Sequence, residues 1–113
     1  MDLPEHCQRL TIYLGEEARF EHKPLFEAIV HKAKEAGLAG ATVLRGPMGF
    51  GEKSVLETTK LLRLSMDLPL LIQIIEAPEK ITMFLEIIRP MIGSGLVTID
   101  DVRVVHYGRP KES

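Results

Sequence analysis

The stretch Arg45-Gly46-Pro47-Met48-Gly49-Phe50-Gly51 places a cation ahead of three closely spaced glycines. Glycine lacks a Cβ, so the main chain can approach a ligand closely there and can take positive φ. Successive N–H groups in such a turn form a concavity that binds anions. Arg45 before the turn and Lys53 after it would add positive charge. The spacing does not match the phosphate loop Gly-x-x-x-x-Gly-Lys-Ser/Thr, and it fits the Gly-x-Gly-x-x-Gly dinucleotide fingerprint only poorly. On spacing alone, an ordinary turn between two strands accounts for it better than an anion site does.

A second turn, Gly93-Ser94-Gly95, invites the same two readings. It follows a helical pattern, so a C-terminal cap is the plainer one. An anion site would draw on Arg103, with His106 and Arg109 beyond it. A lone strand arginine is more often a solvated surface residue.

The remaining reactive side chains form no recognisable set. His6, His22, His31 and His106 lack metal-ligand spacing. His6 and Cys7 are adjacent, and adjacent strand residues point to opposite faces. Asp100-Asp101 reads as a turn, and Met48, Met66, Met83 and Met91 read as core filler or loop contacts. Ser65 and Asp67 have no evident histidine or lysine partner, so nucleophilic catalysis has no support. The expectation is a protein that is not an enzyme and carries no metal or cofactor.

A chain of 113 residues, 45% hydrophobic and 27% charged, fits one globular, soluble domain over residues 1–113. That length can bury a core without disulfides or a structural metal. A net charge of −2 argues against a nucleic-acid partner held by bulk electrostatics, while leaving room for one basic pocket. Cys7 is the only cysteine, so no internal disulfide can form and a cytoplasmic location is expected. Met1 to His6 shows no basic region followed by an apolar run, so no signal peptide is expected. The longest apolar run, Leu68 to Ile75, is too short to span a bilayer.

These candidate residues need elements to position them. Leu10, Ile12 and Leu14 alternate with Arg9, Thr11 and Tyr13, which predicts a strand over 9–14 with one face on a core. Pro24 suits a helix start, Leu25, Ile29, Ala33 and Ala36 share one face, and Gly37 ends the helix. Ala41 to Arg45 reads as a second strand, and Glu52 to Ser65 as a short helix. Leu68 to Ile75 is apolar throughout save Gln73, as suits a central strand covered on both faces. Pro78 opens another helix with Ile81, Phe84, Leu85, Ile88 and Ile92 on its buried stripe. Pro90 should kink or end that helix near Arg89. The last strand is placed at Val102 to Tyr107, with Val97-Thr98-Ile99 leading into it.

The order strand, helix, strand, strand, helix, strand defines an α+β, ferredoxin-like βαββαβ sandwich. Right-handed crossovers give a four-stranded antiparallel sheet with two helices on one face. The other face has no cover, yet the third strand is apolar on both sides. An oligomer that buries the open face resolves the conflict.

The glycine-rich turn, the segment Leu64-Ser65-Met66-Asp67-Leu68-Pro69 and Gly95-Leu96-Val97-Thr98 together resemble the PII-like family called domain of unknown function 190. The resemblance covers about Arg9 to Tyr107. It implies a homotrimer with adenine nucleotide bound in clefts between subunits. Gly49-Phe50-Gly51 stands where PII proteins have Gly-Phe-Gly at the base of their regulatory loop. Gly93-Ser94-Gly95 stands at the phosphate-gripping turn, with Leu96 in place of its lysine, and Arg103 is the nearest match to an arginine on the following strand. The implied site is Arg45, Gly46, Gly49, Phe50, Gly51, Gly93, Ser94, Gly95 and Arg103. The missing lysine favours AMP or ADP over ATP. The implied function is nucleotide-dependent signalling, with segment 52–65 as the effector loop and a membrane transporter or other regulatory target as partner. That segment has no tyrosine for uridylylation of the PII kind. The alternative is a metal-tolerance protein of the CutA kind, using Cys7 and the histidines for copper.

Overall fold

The computed structural model describes residues 3–46, 68–93 and 95–108. The helix expected over Glu52 to Ser65 lies outside them. β1 (His6–Gly15) is followed by a small hairpin, β2 (Arg19–Phe20) and β3 (Lys23–Pro24). Then come α1 (Leu25–Glu35), β4 (Thr42–Arg45), β5 (Pro69–Glu76), α2 (Pro78–Ile92) and β6 (Leu96–Arg103). Strands β4, β5, β1 and β6 form one sheet in that order, and every neighbouring pair is antiparallel. This is the βαββαβ arrangement that the sequence predicts, with the hairpin added.

The alternation in β1 decides which face meets the helices. Leu10, Ile12 and Leu14 are buried, and they stand opposite Ile74, Ile72 and Leu70 of β5. Ile29 and Ala33 of α1 and Ile81, Phe84 and Ile88 of α2 pack on this layer to form the core. Full burial of an aliphatic or aromatic side chain contributes about 1.5–3 kcal/mol, so this layer is the main source of stability. Both helices therefore cover the same face.

α1 starts after Pro24 and is closed by Ala36, whose N–H donates to the carbonyl of Lys32. Gly37 follows at φ 75°, the left-handed conformation that ends a helix. α2 opens on Pro78 but does not stop at Arg89; it runs through Pro90 to Ile92. Pro90 stands in the last turn, where its missing N–H removes one bond and leaves the upstream ladder intact.

The last strand also differs from expectation. It ends at Arg103, because its partner β1 begins at His6, the residue opposite. Beyond that point the N–H of Val104 donates to the carbonyl of Glu5 at 2.7 Å, while Val105 and Tyr107 are exposed. The β2–β3 hairpin replaces what reads in sequence as a simple break. Its two turn residues, Glu21 and His22, have φ of 51° and 69°. Positive φ at both central residues is the turn geometry that matches the twist of a tight hairpin. The Arg19 guanidinium closes the turn on the carbonyl of His22 at 2.9 Å.

Glu76, at the end of β5, is a buried carboxylate on the core side. Its Oε1 accepts the N–H of Ala39 at 2.7 Å and its Oε2 that of Ala77 at 3.0 Å. It ties the loop after α1 to the start of α2 and satisfies two main-chain donors that would otherwise be unpaired.

Candidate functional site

Of the described site residues, Arg45, Gly46, Gly93 and Gly95 stand at one end of the sheet and Arg103 at the other. Arg45 closes β4 opposite Leu70, and the N–H of Gly46 donates to the Pro69 carbonyl at 2.8 Å. A Cβ on Gly46 would come within 3.0 Å of the Pro69 ring, so the close approach of β4 to β5 favours glycine. Arg45 is held by Glu16, with Nη2 and Oε2 2.7 Å apart. Gly49, Phe50 and Gly51 lie outside the described residues, as does Ser94.

Gly93 ends α2 at φ 63° and ψ −121°, a conformation that only glycine adopts readily. A Cβ on Gly95 would meet Ile92 Cγ2 at 2.9 Å and the Tyr13 carbonyl oxygen at 3.0 Å, so Gly95 lets the chain cross closely over β1. Both glycines thus have structural reasons to be glycine, whatever they bind.

Gly46 and Gly95 share an end of the sheet but not an edge. Gly46 follows the last residue of β4 and Gly95 precedes the first residue of β6, with β5 and β1 between these strands. At about 4.8 Å per strand, the two edges stand roughly 14 Å apart. Arg103 lies at the other end of β6, roughly 26 Å along the strand from Gly95 at about 3.3 Å per residue. It faces Glu5, with Nε and Oε2 3.7 Å apart. One chain therefore brings Arg45 with Gly46, and Gly93 with Gly95, but holds these two pairs and Arg103 apart.

Next to the second turn is a cavity of about 380 Å³ between α2 and β6. Leu85, Ile92, Val97 and Ile99 line it, with Gly93 and Gly95 at one end and Arg89 as its charged group. The sequence reading missed Arg89. Its only signal is a basic residue in the last turn of a helix, which ordinarily reads as a complement to the helix dipole. A second cavity, of about 480 Å³, opens between the β2–β3 hairpin, α1 and α2, and neither glycine turn lines it.

Register places Leu96 on the uncovered face of the sheet. Residues directly opposite across antiparallel strands share a face. Leu44, Leu71, Tyr13 and Leu96 therefore form one apolar row across all four strands. Thr42, Gln73, Thr11 and Thr98 make a polar row beside it, followed by Ile75, Arg9 and Asp100. Leu96 is 59% exposed and Leu44 48%, so the row lies open to solvent in the single chain. Arg9 grips Asp100 through two hydrogen bonds, at 3.1 and 2.6 Å. Those bonds hold the Asp100 carboxyl below its ordinary range.

Cys7 is buried, and its thiol donates to the Pro4 carbonyl at 3.0 Å. Burial, with Glu76 and Glu79 nearby, pushes the thiol pKa up, away from the reactive thiolate. Among the described residues, no three His, Cys, Asp or Glu side chains group so as to hold a metal ion. No helix among them is long and apolar enough to cross a membrane.

The fold is that of the PII-like proteins. Over 89% of this chain and 90% of the other, it superimposes with a TM-score of 0.68 on CPII, a nitrogen regulatory PII-like protein from Thiomonas intermedia K12 solved bound to ADP, AMP and bicarbonate, at 21% sequence identity. The apo form of CPII matches with a TM-score of 0.60 over 93% of this chain and 95% of that one, at 22% identity. Within that fold class the chain belongs to the DUF190 family, described as "Uncharacterized ACR, COG1993", which matches residues 7–104. A UPF0166 protein of Aquifex aeolicus is 40% identical over 97 residues, 86% of this chain and 91% of the relative. A UPF0166 protein of Methanocaldococcus jannaschii is 35% identical over 96 residues, 84% of this chain and 88% of the relative.

Proposed function

We propose that this protein is a regulatory module of the PII-like kind that binds an adenine nucleotide, AMP or ADP, between subunits of a homotrimer. The observation that carries this reading is the placement of Gly46 and Gly95, at one end of the sheet but on opposite edges. A ligand meets both turns when the β4 edge of one subunit faces the β6 edge of the next. Arg45, Gly46, Gly49, Phe50 and Gly51 then belong to one wall of the cleft. Gly93, Ser94, Gly95 and Arg103 belong to the other subunits. The apolar row on the open face supplies the surface that the copies bury against one another.

The ligands of CPII support an adenine nucleotide. Leu96 in place of a phosphate-gripping lysine favours a nucleotide with fewer phosphates. Regulation follows from differential affinity: nucleotide that binds better to one arrangement of segment 52–65 shifts the protein towards it, and a membrane transporter or other target reads the result. The protein works by binding, without catalysing a reaction, in the cytoplasm.

Thermal melts and calorimetric titrations with AMP, ADP and ATP test the reading. AMP or ADP at a hundredfold excess over Kd should stabilise the protein by about 2.7 kcal/mol and raise Tm accordingly. Flat titrations with all three nucleotides would overturn it.

A further inference from the structure

We infer that Arg89 is the phosphate-binding cation at the second glycine turn, reaching the ligand from the helix side of the sheet. The inference rests on the nucleotide reading above and deepens it. Four observations support it. The cavity beside Gly93 and Gly95 has apolar walls, Leu85, Ile92, Val97 and Ile99, and Arg89 as its charged group. Its volume of about 380 Å³ falls within the range of small-molecule sites. Among the described residues, no carboxylate lies within ion-pair distance of Arg89, whereas Arg9, Arg45 and Arg103 each face one. Position 96 cannot supply the charge: it holds leucine, and register turns it to the opposite face of the sheet from Val97 and the cavity.

Electrostatics makes a cation necessary there. The C-terminal end of α2 presents main-chain carbonyls, the negative end of the helix dipole, and repels an anion. A phosphate beside Gly93 and Gly95 is favourable only if a positive charge outweighs those carbonyls. A guanidinium does this with planar, paired donors that match phosphate oxygens. The apolar walls suit a flat, weakly polar body attached to that phosphate. The chemistry is that of a nucleoside mono- or diphosphate, with Arg89 giving the preference for phosphate and the apolar walls giving affinity for the remainder.

Calorimetric titration of ADP and adenosine into the wild type and the Arg89→Gln, Arg89→Lys and Lys34→Gln variants tests this. Arg89→Gln should weaken ADP binding about tenfold to hundredfold, the loss expected for a charge-assisted contact. It should leave adenosine binding and Tm without ligand unchanged. Arg89→Lys should restore part of the ADP affinity. Lys34→Gln, which removes an equal charge from α1, should bind ADP as the wild type does. Wild-type ADP affinity in Arg89→Gln, or an equal loss for ADP and adenosine, would overturn the role of Arg89 and leave the nucleotide reading standing. A wild type that binds no nucleotide would overturn both.

Discussion

Glycine at positions 93 and 95 answers first to the backbone. Gly93 has φ 63°, and Gly95 leaves no room for a Cβ between Ile92 and the Tyr13 carbonyl. Gly93→Ala should destabilise the protein by about 1–3 kcal/mol, read by urea denaturation, through backbone strain alone. Glu76 is the other residue whose role is local and firm. Its carboxylate accepts two main-chain N–H groups in a buried position. Glu76→Gln puts an amide NH₂ against one of those donors and should cost about 1–3 kcal/mol in the same measurement. Neither residue announces these contacts in sequence. A glutamate at the end of an apolar strand looks like a surface charge, and only the loop from Ala36 to Ala41, folded back over it, makes it a buried acceptor.

At the scale of elements, prolines and alternation carry most of the information. Pro24 and Pro78 mark where both helices begin, and the period of two in β1 separates core face from open face. Two boundaries differ from the sequence reading, the end of β6 and the end allowed for α2 near Arg89, and both are decided by contacts with other elements. β6 stops at Arg103 because β1 has no residue beyond His6 in the ladder, although Val104 and Val105 are good strand formers. α2 continues past Pro90 because Ile88 and Met91 are buried on either side of it, and that burial outweighs one lost hydrogen bond. Pro90→Ala should restore that bond and raise stability, by less than the roughly 3 kcal/mol that proline costs in a helix interior. A melting temperature unchanged or lowered would show that the proline is not a source of strain.

For the whole molecule, the open face of the sheet is the main question. An exposed apolar row from Leu44 to Leu96, on the same face as the Arg9–Asp100 pair, is a surface to be covered, and light scattering after size exclusion should give the mass of three chains. The pair also sets a pH limit. Because Arg9 lowers the Asp100 pKa in the folded state, its stabilisation is fully present above the unfolded value of about 4 and is lost as pH falls through the lower folded value. The fold should therefore keep this contribution at pH 5 and lose it under stronger acid, read as Tm against pH. Asp100→Asn should lower Tm only slightly at neutral pH, because the pair is exposed, and should remove that part of the acid limb. A mass of one chain at neutral pH would remove the interface argument.

The amino-acid sequence by itself determines the strand and helix order, the buried faces of β1 and of both helices, and hence the α+β fold, because periodicity and proline are local signals that each segment carries alone. The glycine-rich turns are visible there too, as two separate candidates. Tertiary structure alone decides that Gly46 and Gly95 stand at one end of the sheet on opposite edges, that Leu96 faces away from the cavity, and that Arg89 faces into it. Those relations depend on sheet order and register, which join residues far apart in the chain, and no local pattern around any one of these residues encodes them.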